Sequence, residues 1–191
     1  MKKVVLFGDS ITAGYLDNQN TDIVEKLAAK HLADMGFPGY VFENYGVNGD
    51  TSVDGVARLA EVKKAAEDAE FVMVFFGDND LTNQKVAVAD YQANLEKIVA
   101  ELGAAKKVLL VGPSYVKTVS EAVLAQYVAA AKAVGEKALS FIDLNHYMAA
   151  YPGRDQFLAE DGLHFSEEGY DFFTALVARD IKEYLLAQQA N

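Results

Sequence analysis

Short apolar runs alternate along the chain with longer stretches in which apolar residues recur every three or four positions. Most of the short runs stop at a glycine, which is typical of strands buried on both faces of a parallel sheet. They predict five strands, at residues 4–7, 40–45, 71–76, 107–111 and 141–144.

The periodic stretches predict five amphipathic helices, which cover residues 22–35, 53–68, 88–102, 120–137 and 166–186. Asp22 and Glu25 have the spacing of a capping box at the start of the first helix. Strand and helix alternate five times within 191 residues. This order predicts an α/β fold, a single doubly wound domain over residues 1–191 with a five-stranded parallel sheet and helices on both faces.

Polar and glycine-rich segments follow the first three predicted strands, at residues 8–12, 46–52 and 77–80. Parallel strands bring these segments to one edge of the sheet, where open α/β sheets bind ligands. Ser10 lies in the first segment. Its hydroxyl either caps a helix that begins there or is exposed as a nucleophile, and this residue alone does not decide between the two.

A histidine and an aspartate that could activate such a serine lie just before the last predicted helix. Acyl transfer needs a nucleophile, a base and a group that orients the base. Asp161 precedes His164 by one turn, so its carboxylate could accept the Nδ1–H and leave Nε2 bare for Ser10. The alternative is an ordinary surface turn, with Asp161 exposed and His164 near the start of a helix.

The same edge of the sheet offers donors for an oxyanion. We expect the backbone N–H of Ser10 to lie at a helix N-terminus, where the dipole favours negative charge. The N–H of Gly49 can approach a ligand closely because glycine has no Cβ, and the side-chain amide of Asn79 is a third candidate. The alternatives are a turn glycine and an asparagine that caps its loop.

Other polar residues have simpler interpretations. Of the three histidines, His31 falls on a helix face as a partly buried packing residue, whereas the role of His146 stays open. Asp9 and Asp80 are expected to bond backbone amides in their loops. A metal-dependent phosphoesterase would need several converging histidines and carboxylates, which this chain does not offer, so we expect neither a metal nor another cofactor.

Composition narrows the function classes further. The net charge of −11 disfavours nucleic acids and anionic membrane surfaces as partners. There is no cysteine, which excludes disulfides, thiolate metal sites and a cysteine nucleophile. No apolar run is long enough to span a bilayer and no secretory signal is visible, so we expect a cytoplasmic protein. The sequence leaves open whether it forms a homo-oligomer.

Four short blocks, in order along the chain, resemble the signature blocks of the GDSL family of esterases and lipases, also called SGNH hydrolases. They are Gly8-Asp9-Ser10-Ile11, Asn48-Gly49-Asp50-Thr51-Ser52, Gly77-Asp78-Asn79-Asp80 and Asp161-Gly162-Leu163-His164. The resemblance implies a flavodoxin-like three-layer sandwich. It also implies Ser10 as nucleophile, His164 as base and Asp161 as orienting acid, with Gly49 and Asn79 as oxyanion donors beside the Ser10 backbone.

Two positions depart from the family pattern. Ile11 stands where leucine is usual, and Phe165 follows the histidine where proline is common. Aromatic residues near the blocks could line a shallow acyl pocket, although core packing explains each of them equally well. These residues are Tyr15, Tyr45, Tyr115 and Phe165.

The sequence therefore predicts a metal-independent serine esterase that acts on small-molecule esters with short or accessible acyl groups. A carbohydrate acetylesterase, a lysophospholipase or a thioesterase would use the same residues. An alternative of a different class is a binding module that has kept the fold, binds esters or sugars, and lacks catalysis. Acylation of Ser10 by a fluorophosphonate distinguishes the enzyme from the binding module.

Overall fold

A five-stranded parallel sheet forms the centre of the computed structural model, which describes residues 1–103 and 107–190. Its strands are β1 (Lys2–Gly8), β4 (Tyr40–Gly46), β5 (Phe71–Phe75), β6 (Lys107–Val111) and β7 (Ser140–Ile142). They lie in the order β4-β1-β5-β6-β7, and all neighbouring strands are parallel. A separate hairpin pairs β2 (Tyr15–Leu16) with β3 (Gln19–Asn20).

Helices cover both faces of this sheet. They are α1 (Ile23–Asp34), α2 (Ser52–Ala65), α3 (Asp78–Leu81), α4 (Val88–Gly103), α5 (Glu121–Gly135), α6 (Leu144–Ala149) and α7 (Glu167–Gln189), with short 3-10 turns at Thr82–Gln84 and Arg154–Phe157. Val4 and Leu6 of β1 pack with α1 and α7, whereas Val5 and Phe7 pack with α2, α4 and α5. Successive residues of a strand face opposite sides, so β1 contributes to both cores.

The register of the sheet brings three loops together. Gly8 at the end of β1 pairs with Gly46 on one side and with Phe75 on the other. The segments after β1, β4 and β5 therefore leave from neighbouring strand ends. A Cβ on Gly46 would lie 2.3 Å from the backbone nitrogen of Ala13, so only glycine lets these two loops approach so closely.

The predicted strands and helices are observed with small shifts at their ends, and the predictions for the start of α1 and the end of the fifth strand are wrong. Asp22 makes no side-chain capping bond at the start of α1 and instead pairs with Lys26 at 2.9 Å, so the predicted capping box is not formed. The fifth strand ends at Ile142, because the Asp143 side chain accepts the N–H of His146 and begins α6.

Three small elements have no counterpart in the sequence prediction: the β2–β3 hairpin, α3 and α6. Each is shorter than the window over which apolar periodicity can be recognised. Among the described residues, no helix combines the length and apolarity needed to cross a membrane.

Candidate active site

Three side chains from distant parts of the sequence form a continuous hydrogen-bonded row. Ser10 Oγ lies 3.0 Å from His164 Nε2, and His164 Nδ1 lies 2.6 Å from Asp161 Oδ2. An ionised carboxylate can only accept, so it selects the tautomer with hydrogen on Nδ1. Nε2 is then bare and can accept the Ser10 hydroxyl proton.

A tight turn before α7 positions His164. Asp161 Oδ1 accepts the backbone N–H groups of Leu163 and His164, each at 2.9 Å. Partial burial works to raise the pKa of Asp161, but the hydrogen bonds from the His164 ring and these two amides outweigh it and lower the pKa below its ordinary value. The carboxylate therefore stays charged while it holds the imidazole.

Tyr15 and Tyr170 connect this turn with the serine loop. The ring of Tyr15 packs on the His164 imidazole, with ring centroids 4.5 Å apart. The Tyr170 hydroxyl donates to the carbonyl of Tyr15 at 2.9 Å, so α7 fixes the residue that covers the base. Tyr15 was a candidate pocket residue in the sequence, but nothing in the sequence indicates its contact with His164.

Ser10 lies in a turn and not at the start of a helix, which corrects the prediction for this segment. The Asp9 side chain accepts the N–H of Ile11 at 2.9 Å, and Asp9 O accepts the N–H of Ala13 at 2.9 Å. The turn then continues into β2 without forming a helix. The Ser10 N–H consequently lacks the helix dipole that the sequence prediction placed behind it.

The other two predicted oxyanion donors lie on the neighbouring loops. Gly49 is exposed, with a φ of 82°, a conformation that favours glycine. Asn79 is buried in α3, and its Nδ2 donates to Asp50 O at 3.0 Å and to Asp9 Oδ2 at 3.3 Å. The amide of Asn79 thus joins the serine loop to the Gly49 loop.

Arg58 holds the Gly49 loop in place, although no pattern in the sequence indicates this role. Its Nε donates to Asp50 Oδ2 at 2.7 Å, and its Nη2 donates to the carbonyls of Gly8 and Tyr45, each at 3.2 Å. One guanidinium therefore ties the ends of β1 and β4 to the residue after Gly49. Only the tertiary fold places this helical arginine beside two strand ends.

Three buried aspartates lie beneath the site, and two of them form hydrogen bonds to serines of neighbouring segments. Asp80 accepts the N–H and hydroxyl of Ser52, and Asp78 accepts the N–H of Ser114 at 2.9 Å and its hydroxyl at 2.6 Å. Burial is the main reason that the pKa values of Asp9, Asp78 and Asp80 are all raised. The sequence prediction gave Asp9 and Asp80 a structural role of this kind but did not single out Asp78 or Ser114.

The buried Asp78 should make stability depend on pH. Burial raises its pKa from 3.8 to about 6, despite the bonds from Ser114. The folded state therefore binds this proton more tightly than the unfolded chain. This contribution to stability is complete below pH 3.8 and is lost as the pH rises to about 6. Between pH 5 and pH 7.5 the loss should be about 1 kcal/mol.

Asp78→Asn should remove this loss, because a neutral amide can still accept from the Ser114 N–H and donate to its hydroxyl. Urea unfolding of both proteins at pH 5 and pH 7.5 measures the effect. Asp9 and Asp80 remain in both proteins, so the relevant quantity is the difference between the two pH dependences. Identical pH dependences would contradict the assignment to Asp78.

The remaining histidines lie away from this row. His31 is partly buried on α1, with its Nε2 3.0 Å from Asp171 Oδ1. His146 is exposed on α6, and its ring contacts Tyr147. Within the described part of the chain, no group of three or more histidine or acidic side chains is arranged to hold a metal ion.

A cavity of about 520 Å³ adjoins the base. Its lining consists of Tyr15, Leu16, Asp17, Asn18, Ala159, Glu160, Asp161, His164 and Phe165. Of the four candidate pocket aromatics, Tyr15 and Phe165 line it. Tyr45 lines a different hollow, and Tyr115 is covered by the Arg154 guanidinium, 3.7 Å from its ring centroid. A larger hollow of about 620 Å³ between α1 and α7 contains none of the residues in the row.

Known proteins are similar to this chain in fold and in sequence. The model of the GDSL-like lipase/acylhydrolase family matches residues 6–172. The crystal structure of the lipase/acylhydrolase from Enterococcus faecalis has a TM-score of 0.89 and 39% identity, and the match covers 96% of this chain and 97% of that one. No curated protein matches the chain.

Two further solved structures are similar. A catalytic mutant of Axe2, an acetylxylan esterase from Geobacillus stearothermophilus, has a TM-score of 0.75 and 25% identity, with 94% of each chain covered. The structure of TesA supports the fold alone, with a TM-score of 0.79 and 24% identity over 95% of this chain and 99% of that one. The family match extends over most of the present sequence. The chain thus belongs to the GDSL-like lipase/acylhydrolase family and is a carboxylic ester hydrolase with the SGNH-hydrolase fold.

Proposed function

We propose that Ser10, His164 and Asp161 form the catalytic triad of this esterase and that its substrates are esters of short or accessible acyl groups. The observation that carries the proposal is the 3.0 Å approach of Ser10 Oγ to His164 Nε2. The backbone N–H groups of Ser10 and Gly49 and the side chain of Asn79 are the proposed oxyanion donors.

In the first half of the reaction, His164 Nε2 takes the hydroxyl proton as Ser10 Oγ attacks the ester carbonyl. Negative charge collects on the carbonyl oxygen, where the three donors stabilise it. Asn79 must exchange one of its present acceptors for this oxygen, and the 3.3 Å bond to Asp9 is the longer of the two. His164 then protonates the leaving oxygen, the ester bond breaks, and the acyl group stays on Ser10.

The second half repeats these steps with water. His164 removes a proton from the water that attacks the acyl carbonyl, and it returns the proton to Ser10 Oγ as the acid leaves. Asp161 keeps its charge throughout and stabilises the imidazolium each time it forms. No step requires a metal or another cofactor.

An acetylated carbohydrate is a second candidate substrate class. Its support is the 25% identity to an acetylxylan esterase and a cavity beside His164 that combines an aromatic ring with several acceptors. Lysophospholipid and thioester substrates would use the same mechanism and are compared with this class below.

A fluorophosphonate probe tests the proposed nucleophile. Ser10 Oγ should displace fluoride from phosphorus and form a stable adduct, which peptide mass spectrometry locates on the peptide that contains residue 10. The labelled protein should no longer hydrolyse p-nitrophenyl acetate. Among p-nitrophenyl esters of increasing chain length, kcat/KM should be highest for the short acyl groups.

Heat-denatured protein is the control for nonspecific labelling, because the Oγ of an unfolded serine has no base beside it. Folded protein that cleaves p-nitrophenyl acetate without being labelled at Ser10 would contradict the assigned nucleophile. Folded protein that binds esters or sugars but neither cleaves nor labels would favour the non-enzymatic binding module.

A further inference from the structure

The cavity beside His164 lies where a leaving group must go. During acylation the leaving oxygen receives its proton from His164 Nε2 and must come within hydrogen-bonding distance of that atom. Two of the three proposed oxyanion donors, Gly49 and Asn79, belong to segments that do not line this cavity. The alcohol part of the ester therefore extends toward the wall that contains His164, and the 520 Å³ cavity is lined by that residue.

Two tight turns form the walls of this cavity. Asp17 and Asn18 occupy the two-residue turn of the β2–β3 hairpin with φ values of 51° and 64°, the conformation of a type I′ turn. On the other wall, the N–H of Gly162 donates to Ala159 O at 3.0 Å, which closes the turn that contains Glu160. The backbone geometry of both walls is thus defined by their own hydrogen bonds.

The charged side chains of this lining all have the same sign. Asp17, Glu160 and Asp161 contribute carboxylates, and no lysine or arginine is among the described residues that line the cavity. The net charge of the whole chain, −11, adds to the same potential. A cleft lined by charges of one sign attracts opposite charge and repels its own.

Two cations of neighbouring segments are paired with other carboxylates. Lys117 donates its backbone N–H to Gly162 O at 2.9 Å, but its Nζ pairs with Asp155 at 2.7 Å. Arg154 pairs with Glu121 at 2.5 Å and packs over Tyr115. Neither side chain lines the cavity, and each is already paired with a carboxylate outside it.

We infer that this cavity receives the leaving group and that Asp17 and Glu160 make the enzyme select against anionic alcohols and thiols. The inference rests on the proposed function. The preferred substrates of the enzyme are then esters of neutral, hydroxyl-bearing alcohols or of cationic alcohols. Leaving groups with a net negative charge are disfavoured, which favours acetylated carbohydrates over anionic lysophospholipids and phosphate-bearing thioesters.

Three acetate esters of meta-substituted phenols test the charge preference. The substituents are sulfonate, hydroxymethyl and trimethylammonium, so the leaving group is anionic, neutral or cationic. Each kcat/KM is divided by the rate of the same ester with imidazole in solution, which corrects for intrinsic reactivity. At low ionic strength the neutral ester should exceed the anionic one by about tenfold, and 0.5 M NaCl should remove most of this ratio.

Matched variants separate the cavity from the overall charge. Asp17→Asn with Glu160→Gln should reduce the neutral-to-anionic ratio to about threefold or less at low ionic strength. Glu136→Gln with Glu183→Gln removes the same amount of charge at exposed positions outside the cavity and should keep the ratio. Glu183 lies within α7, roughly four turns or about 24 Å along the helix from its N-terminal end near the site. Glu136 follows the end of α5.

The outcomes are distinct. A normalised ratio within twofold of unity for the wild type, with the neutral ester cleaved, would overturn the charge selection and leave the proposed triad intact. An equal fall of the ratio in both double variants would overturn the assignment to Asp17 and Glu160. Failure to cleave any of the three esters, with Ser10 unlabelled, would refute the proposed function and the charge selection with it.

Discussion

Replacing Ser10 with alanine should lower kcat by about 10⁴- to 10⁶-fold while the fold is kept, because members of a catalytic triad act as a unit. The hydroxyl is the group proposed to carry the acyl chain, and alanine offers no atom that could replace it. Only 5% of Ser10 is exposed, and its Oγ bonds His164 Nε2. The substitution therefore leaves packing almost unchanged, and the thermal midpoint should move by only a few degrees. Initial rates with p-nitrophenyl acetate measure the loss.

Ser120→Ala is the matched control for this substitution. The Ser120 hydroxyl accepts the N–H of Val123 at the start of α5 and lies outside the row. This control should lose about 0.5–1 kcal/mol of stability through the missing cap and keep its kcat. A Ser10→Ala protein that retains more than about 1% of wild-type kcat, with contaminating esterase excluded, would disprove the nucleophile assignment.

Asp161→Asn should lower kcat by about 10³- to 10⁴-fold, because it inverts the imidazole tautomer. Asp161 Oδ1 accepts two backbone N–H groups, from Leu163 and His164. The asparagine must keep its oxygen on that side, so its NH₂ group faces Nδ1 of His164. Nδ1 then has to accept, the hydrogen moves to Nε2, and Ser10 faces a donor where it needs a base.

Asp161→Ala separates the tautomer from the loss of charge. Alanine also removes the orienting charge, but Nδ1 of His164 can then keep its hydrogen and donate it to water. We therefore expect the asparagine variant to be impaired at least as much as the alanine variant, although asparagine preserves the bonds of the turn. The kcat values of the two variants, measured at the same pH, test this expectation. An asparagine variant within tenfold of the wild type would show that Asp161 does not set the tautomer.

The parallel sheet was predictable because its signal is local and strong. Residues 71–76 form a continuous apolar run, and the strand at Phe71–Phe75 is wholly buried. The helices that pack on the sheet carry apolar residues at helical spacing, as in α4, where Tyr91, Leu95, Ile98 and Leu102 are buried as predicted. In both cases the pattern along the chain directly reflects which side faces the core.

The candidate site was partly predictable for a different reason. Ser10, Asn79 and the Asp161–His164 turn lie in short motifs whose spacing carries chemical meaning. The contacts of Arg58, Ser114 and Tyr170 come from residues far apart in the chain. Each of these contacts satisfies a polar group that becomes buried only on folding, so no local sequence pattern predicts it. The segment at Ser10 is a different case, because local bonds from Ile11 and Ala13 to Asp9 form a turn where the sequence suggests a helix start.

The distance along the chain between Ser10 and His164, 154 positions, has a consequence for biosynthesis. Translation adds about 5–20 residues per second, so the serine leaves the ribosome many seconds before its base has been made. During this interval the nascent polypeptide holds its nucleophile without a partner that could activate it. With the proposed triad, ester cleavage can therefore begin only once synthesis is almost finished, and an incomplete product released early would lack esterase activity.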